Sequence, residues 1–328
     1  MAVEDMTNKE RYAVWAAEQD NLPIFLQPWW MEAVCIGKEW NVLLAENEQG
    51  EIMGVMPYLI RKRLGMRYIV MPQQTQIGGI WISGEYTEDQ CVVAEVCRRM
   101  ADQLGLLHLA YYYQQYAINS PIPALLANRG YTVSPRVTYR IEDCSDVEKI
   151  IAGYNRNKQR QLKKSAVFTL RQDNISPKEF FGFHQSVLAT KGKVISYAEP
   201  FFLQLVDAIR QHHQGTILTL YDNQSPVQML IAVALYVWDA DAVHYLIAAQ
   251  HPHYQHSGLM ARLVTEGIRL AHQRHLAFDF EGSMIPGVAK HFAQFGAIPA
   301  TYYSVERYFN PVFHFFTSAY QYLTRRKR

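Results

Sequence analysis

The sequence predicts an α/β protein in which one unit of strands and helices is used twice, and three observations carry that expectation. Short runs with the period of a strand alternate with longer stretches of helical period. Their order in the first half is a meander, a helix, a strand, a short helix and a last strand, and it returns in the second half with different residues. The length of 328 residues, with an apolar share of 49%, exceeds one ordinary compact core and is ample for two. The expected units are residues 1–145 and 146–328.

In the first half, Trp40 to Glu46 and Ile52 to Tyr58 read as two meander strands joined at Glu48-Gln49-Gly50, and Tyr68 to Met71 as a short third strand. Glu88 to Leu104 places Val92, Val93, Val96, Met100 and Leu104 at helical spacing, with Gly105 where a C-cap glycine belongs. Leu106 to Tyr112 reads as a buried strand. Pro121 to Asn128 reads as a short helix ended by Gly130, and Tyr131 to Ile141 as a last strand interrupted at Pro135.

In the second half, helices are predicted within Asp146 to Ser165 and Pro177 to Ala189, and across Pro200 to His212. Thr216 to Tyr221 and Val227 to Trp238 form a hairpin through Asp222-Asn223, and Val243 to Ala248 extends the meander. A helix from Gly258 to Arg274 turns Leu263, Val264, Ile268 and Ala271 inward. Phe278 to Glu281 follows as a strand. Lys290 to Phe295, Gly296 and Tyr302 to Tyr308 then match Ala124 to Asn128, Gly130 and Tyr131 to Ile141 in order and type.

Charged residues make up 19% and the formal net charge is +2, which excludes extensive disorder and a globally basic nucleic-acid binder. Cys35, Cys91, Cys97 and Cys144 lack C-x-x-C spacing, so neither a zinc site nor a disulfide framework is expected, and a reducing cytoplasm fits. Glu4, Asp5, Lys9, Glu10 and Arg11 stand where a signal peptide needs an apolar core, and the longest apolar run, Met229 to Trp238, is too short to span a bilayer.

One stretch reads as a site. Phe278-Asp279-Phe280-Glu281-Gly282-Ser283 is followed by Gly287, Lys290, Phe292 and Phe295-Gly296-Ala297. With Leu276 to Glu281 read as a strand, Asp279 and Glu281 share one face about 7 Å apart, while Phe278 and Phe280 anchor the other. Where water is scarce, such a pair raises its own pKa values, so that one member can accept an amine proton near neutral pH. A polar strand face neutralised by Lys290 or Arg269 would show the same pattern. Between Lys149 and Arg171 there is no acidic residue, and on a helix Arg156, Arg160, Lys163 and Lys164 share a face suited to phosphate or, equally, to solvent. His251, His253 and His256 lack a nearby acid or cysteine, and no metal site is expected. Trp29 and Trp30 read as core anchors.

The element order is that of GNAT-type acyltransferases. On the tandem units, residues 278–297, Gln27-Pro28-Trp29-Trp30 and the basic Arg160-Gln161-Leu162-Lys163-Lys164, the chain resembles the Fem-type double-GNAT family from about Asn21 to Tyr308. That family includes enzymes that add amino acids to cell-wall precursors. The resemblance implies two GNAT-like units with mixed central sheets. It also implies an acyl or aminoacyl transferase that N-acylates an amine on a phosphate-bearing, cell-envelope acceptor, either a small molecule or lipid-linked. Glu281 or Asp279 would orient or deprotonate the amine, Lys290 would tune the carboxylates, Arg160 and Lys164 would hold phosphates, and a loop with Gln73, Gln76 and Gly78 would border the acceptor cleft.

Two donors stay open. The long antiparallel helical arm associated with members that use aminoacyl-tRNA has no counterpart here. Gln255-His256-Ser257-Gly258-Leu259-Met260 stands where coenzyme A-dependent GNAT enzymes carry Arg/Gln-x-x-Gly-x-Gly/Ala, keeping Gln255 and Gly258 but placing Met260 at the last small position. Ser257 is equally placed to cap the helix. Alternatives to the Fem-like reading are a coenzyme A-dependent N-acetyltransferase and a non-catalytic module binding an anionic glycan or nucleic acid. The tail, with Phe313, Phe316, Tyr320 and Leu323 at helical spacing before Arg325-Arg326-Lys327-Arg328, suits either packing on the body or an anionic membrane surface, hence a cytoplasmic protein with a peripheral contact at the inner face.

Overall fold

The computed structural model describes residues 6–223, 228–282 and 286–325, with the backbone alone for residues 286 and 320–325. Two compact units are present, Met1–Arg136 with Thr301–Arg328, and Val137–Ala300.

The first unit begins with α1 (Asn8–Ala16), whose capping box pairs Thr7 with Glu10. Helix α2 (Pro28–Val34) starts on a proline, which needs no amide partner there. Trp30 is fully buried edge-on to Phe25, and its indole N–H donates to Thr75 Oγ1 at 3.0 Å. Strands β1 (Trp40–Glu46), β2 (Ile52–Arg63) and β3 (Met66–Val70) form an antiparallel meander, with β4 (Trp81–Ile82) on the flank of β2. Helix α3 (Gln90–Leu106) precedes β5 (Tyr111–Tyr116), and α4 (Ile122–Ala127) follows it. The last strand of the chain, β12 (Ile298–Tyr308), pairs antiparallel with β5 through Tyr303–Tyr308. Helix α11 (Pro311–Arg325) is fastened by Phe313, which packs on Tyr68 and Tyr111.

The second unit takes up β6 (Thr132–Ile141) from Val137 onward. It continues through α5 (Val147–Ala152), α6 (Arg156–Ser165), β7 (Thr169–Gln172), α7 (Pro177–Ala189) and α8 (Glu199–Gln211). Strands β8 (Gly215–Asp222), β9 (Met229–Trp238) and β10 (Ala242–Gln250) lead to α9 (Leu259–Arg274), β11 (Ala277–Asp279) and α10 (Pro286–Ala293). The sheet order is β6-β11-β10-β9-β8-β7, parallel only between β10 and β11. Ile231 to Val237 of β9 are wholly buried, as expected of a central strand. Helix α9 lies directly on this sheet: a Cβ at Gly267 would come within 2.5 Å of the Tyr236 ring and 2.6 Å of the Phe278 ring.

The element order agrees with the sequence reading, and the departures have local causes. Helix α3 runs through Gly105 to Leu106, so that glycine is not its cap. The strand expected at Leu106 to Tyr112 lies at Tyr111–Tyr116 instead, because the chain first turns through His108 in left-handed conformation. Strand β6 passes through Pro135 unbroken, and α1, α2 and β7 carry patterns too short to read. Residues 326–328 of the basic tail lie outside the described residues.

Gly267→Ala should lower stability by about 1–3 kcal/mol through overpacking, although the same change in an open helix stabilises by about 1 kcal/mol. A lower urea midpoint with an unchanged slope is the expected reading.

Candidate active site

The parallel pair β10–β11 is short. Its register runs Ala242–Ala277, Val243–Phe278 and His244–Asp279, and there it stops. Strand β10 carries a bulge between Tyr245 and Ile247, and β11 ends at Asp279, so the two strands part at one level. Polar groups gather at this point within an apolar layer that includes Phe278 and Phe280.

The sequence reading placed Asp279 and Glu281 on one face of a continuing strand, and this is corrected. Phe280 N–H still bonds Tyr139 O, but Glu281 and Gly282 both turn left-handed, at φ of 60° and 63°. Having lost its parallel neighbour, the chain reverses. Glycine is required at position 282, because a Cβ there would lie 2.8 Å from Val137 O. The reversal sets the two acids in direct contact: Glu281 N–H donates to Asp279 Oδ1 at 2.7 Å, and Thr138 Oγ1 donates to the same oxygen at 2.5 Å. Arg140 Nε stands 3.9 Å from Asp279 Oδ2, while its Nη1 donates to Asp241 Oδ2 at 2.8 Å.

The Glu281 side chain, 8% exposed, meets a buried imidazole. His244 Nδ1 lies 2.6 Å from Glu281 Oε1, a close ionic contact whose direction departs from an ideal hydrogen bond. On its other side, Nε2 lies 3.4 Å from Asp239 Oδ2. Asp239 is itself fixed by the backbone N–H groups of Asp241 and Ala242, at 2.9 and 3.1 Å.

This arrangement separates the three titrations. Burial opposes a charge on His244, but Asp239 and Glu281 outweigh it and hold the imidazolium well above its ordinary range. Burial likewise opposes ionisation of Asp239, yet His244 and the two backbone N–H donors bring it down to about 2. For Glu281 burial prevails over the attraction of His244, with Asp279 and Asp239 adding repulsion, and its carboxyl is pushed up to about 7. At neutral pH the cluster therefore holds a fixed anion, a fixed cation and one carboxyl poised between its two states. That carboxyl can gain or lose a proton near neutral pH.

The other predicted residues fall elsewhere. Lys290 is exposed on α10, and the cationic neighbours of the acids are His244 and Arg140. Arg269 pairs with Glu148 and Glu266. Arg156, Arg160, Lys163 and Lys164 are exposed on α6, whose N-cap is Asn155; Arg160 Nη2 reaches Asn157 Oδ1 at 3.3 Å. Lys158, from the same basic run, instead turns inward, with Nζ 3.0 Å from His291 Nδ1 and burial lowering it to about 8. Gln73, Gln76 and Gly78 belong to the β3–β4 loop of the first unit, held by Trp30 through Thr75, and Gly78 N–H bonds Gln115 O at 2.7 Å. Among the described residues no group of three histidine, cysteine or acidic side chains is placed to hold a metal ion.

Gln255, Ser257 and Gly258 lie at the start of α9, where acyl-coenzyme A was one of two donors left open and a helix cap by Ser257 the other reading of the loop. Ser257 does not cap the helix; Gly258 is the N-cap, left-handed at φ 80°. A Cβ on Gly258 would lie 2.0 Å from Gln161 O, so the backbone of α6 already covers this glycine. There is thus no room for a side chain at this position, and Met260 follows two residues on.

His244, Asp239, Thr138 and Arg140 were missed in the sequence. The available signal was a lone polar residue in the strand Ala242-Val243-His244-Tyr245-Leu246-Ile247-Ala248-Ala249, just after the Asp239-Ala240-Asp241 turn.

Residues 128–289 match the acetyltransferase (GNAT) domain family. Solved structures with a similar fold include FemX, at 9% identity and TM-score 0.68, covering 91% of this chain and 96% of that one. A tandem GNAT protein from the clavulanic acid biosynthesis pathway has 10% identity, TM-score 0.53 and coverages of 91% and 93%. L-PGS from Bacillus licheniformis has 13% identity, TM-score 0.55 and coverages of 92% and 93%. No curated protein sequence matches the chain.

His244→Ala strips the only imidazole from between two buried carboxylates and should destabilise the fold by about 3–5 kcal/mol at pH 6. Because the folded pKa of His244 is raised, its contribution is complete below its unfolded value near 6.5 and is lost as pH rises through the folded value. Chemical denaturation of both proteins across pH should show the difference narrowing on the alkaline side.

Proposed function

We propose, from the premise that this chain is a double-GNAT acyltransferase of Fem-like fold, that its second unit transfers an acyl or aminoacyl group to an amine at the parting of β10 and β11. The observation that carries the reading is the Glu281–His244 contact at that level, with the carboxyl held near 7.

The chemistry follows from these groups. An amine attacks a carbonyl only as the neutral base, and Glu281, as carboxylate, accepts the proton it sheds. The new C–N bond forms as the bond from the carbonyl carbon to the donor's leaving oxygen or sulfur breaks, and Glu281 returns the proton to that leaving atom. Backbone N–H groups at the bulge around Leu246 are suited to the developing oxyanion, because a bulge leaves an amide outside the ladder. His244, fixed as a cation by Asp239, keeps Glu281 oriented and limits how far burial can raise it.

The exposed face of α6 supports an acceptor that carries phosphate. Arg160 would grip its oxygens bidentately and Lys164 would act as a point charge. Since Met260 stands where a coenzyme A loop carries a small residue, we favour a donor other than coenzyme A.

The test is an assay by mass spectrometry of acyl transfer from aminoacyl-tRNA, and separately from acyl-coenzyme A, to phosphate-bearing amines. Transfer should rise with pH with an apparent pKa near 7. Glu281→Gln should lower turnover by about 10²–10⁴-fold and abolish that inflection, with a native circular-dichroism spectrum and cooperative unfolding as the fold control. An unaltered rate would remove Glu281 from the mechanism. A thermal shift with coenzyme A at micromolar concentration would reinstate that donor.

A further inference from the structure

We infer that the β2–β3 hairpin tip and helix α11 of the first unit together form a docking surface for an anionic phospholipid bilayer. The tip reads Arg61-Lys62-Arg63-Leu64-Gly65, and Arg61, Lys62, Arg63 and Leu64 are all exposed. Leu64 and Gly65 are the two turn residues, with φ of 51° and 76°, between the paired Arg63 and Met66. Two-residue turns with positive φ favour asparagine or aspartate at the first place. Here a leucine occupies it, 72% exposed, where local conformation and solvent both disfavour it.

The leucine has apolar company. A groove of about 240 Å³ is lined by Arg63, Leu64 and Met66 from the hairpin and by Phe313, Phe316 and Thr317 from α11. Phe313 is the buried anchor, but Phe316 is 51% exposed, and Phe315, in ring contact with it at 6.0 Å, is 70% exposed. The patch thus combines large side chains facing solvent with a row of cations beside them, the composition of surfaces that lie at a lipid interface.

Charge identifies the occupant. From Ile52 to Gly84 the chain has no acidic residue while carrying Arg61, Lys62, Arg63 and Arg67, and from Asn310 to the last residue there is again none. Such a face repels a second copy of itself and attracts an anionic leaflet, where the apolar tips enter the acyl boundary and the cations meet the headgroups. No helix among the described residues is long and apolar enough to cross a membrane, so the contact is peripheral.

The experiment is flotation of the full chain with vesicles of phosphatidylcholine alone and of phosphatidylcholine with phosphatidylglycerol, at low and high salt. Binding should require the anionic lipid and fade with salt. The double variant R61E/K62E should weaken it by at least about 25-fold, since each basic residue near the surface contributes about five-fold and the new acids add repulsion. The triple variant Leu64→Asn, Phe315→Ser, Phe316→Ser should weaken it as well, and asparagine at position 64 suits the turn, so an unchanged thermal midpoint is expected. Equal binding to neutral vesicles, or wild-type binding by both variants, would overturn the inference. So would a dimeric mass for the wild type that halves in the triple variant, because a second copy would then cover the face.

Discussion

The imidazolium of His244 between Asp239 and Glu281 is the interaction on which the candidate site depends. Three carboxylates, counting Asp279, lie close together with little access to water, and a buried carboxylate without a partner neutralises or unfolds its surroundings. One cation shared between Asp239 and Glu281, with Thr138 and backbone donors on Asp279 and Asp239, resolves this. At Glu281 burial, with repulsion from Asp279 and Asp239, prevails over His244, whereas at Asp239 His244 and two backbone donors prevail over burial, so the two acids flanking one ring end in different states. A group that exchanges a proton near neutrality is thereby produced in a position that would otherwise favour an uncharged acid.

That cluster exists only because two strands part. Had β11 continued beside β10, residue 281 would have entered the ladder with its N–H bonded across the sheet. The bulge near Leu246 and the left-handed turn at Glu281-Gly282 are complementary departures, and together they exchange backbone pairing for side-chain chemistry. Helix α6 has a similar double character. Its inner face packs Lys158 toward His291 and Phe295 and covers the start of α9 at Gly258, whereas its outer face keeps four cations in solvent.

The parts of the fold legible in the sequence were those with long periodic patterns. Helix α9, strands β1, β8, β9 and β10, and the tandem element order followed from apolar spacing and turn residues alone. Strand β5 was displaced by four to five residues because Leu106 to Leu109 are as apolar as a strand but hold the end of a helix and the turn after it. At the site, the importance of Asp279 and Glu281 was legible, but their relation was not. Strand alternation put them side by side, whereas the structure joins them through a reversed backbone and an amide hydrogen bond. Lys290 was the first cation to follow them in the chain; His244, well before them, is the neighbour in space.

By itself the sequence determined the α/β class, the duplicated order, the buried aromatic anchors and the presence of two acids after a strand, since all of these are encoded in local spacing. Only the tertiary structure decided which groups surround those acids, that Gly258 faces the backbone of α6, that Lys158 turns inward while Arg160 does not, and that the β2–β3 tip lies beside α11. Each of these depends on contacts between residues far apart in the chain. Local pattern specifies which face of an element is buried, but packing alone specifies what it is buried against.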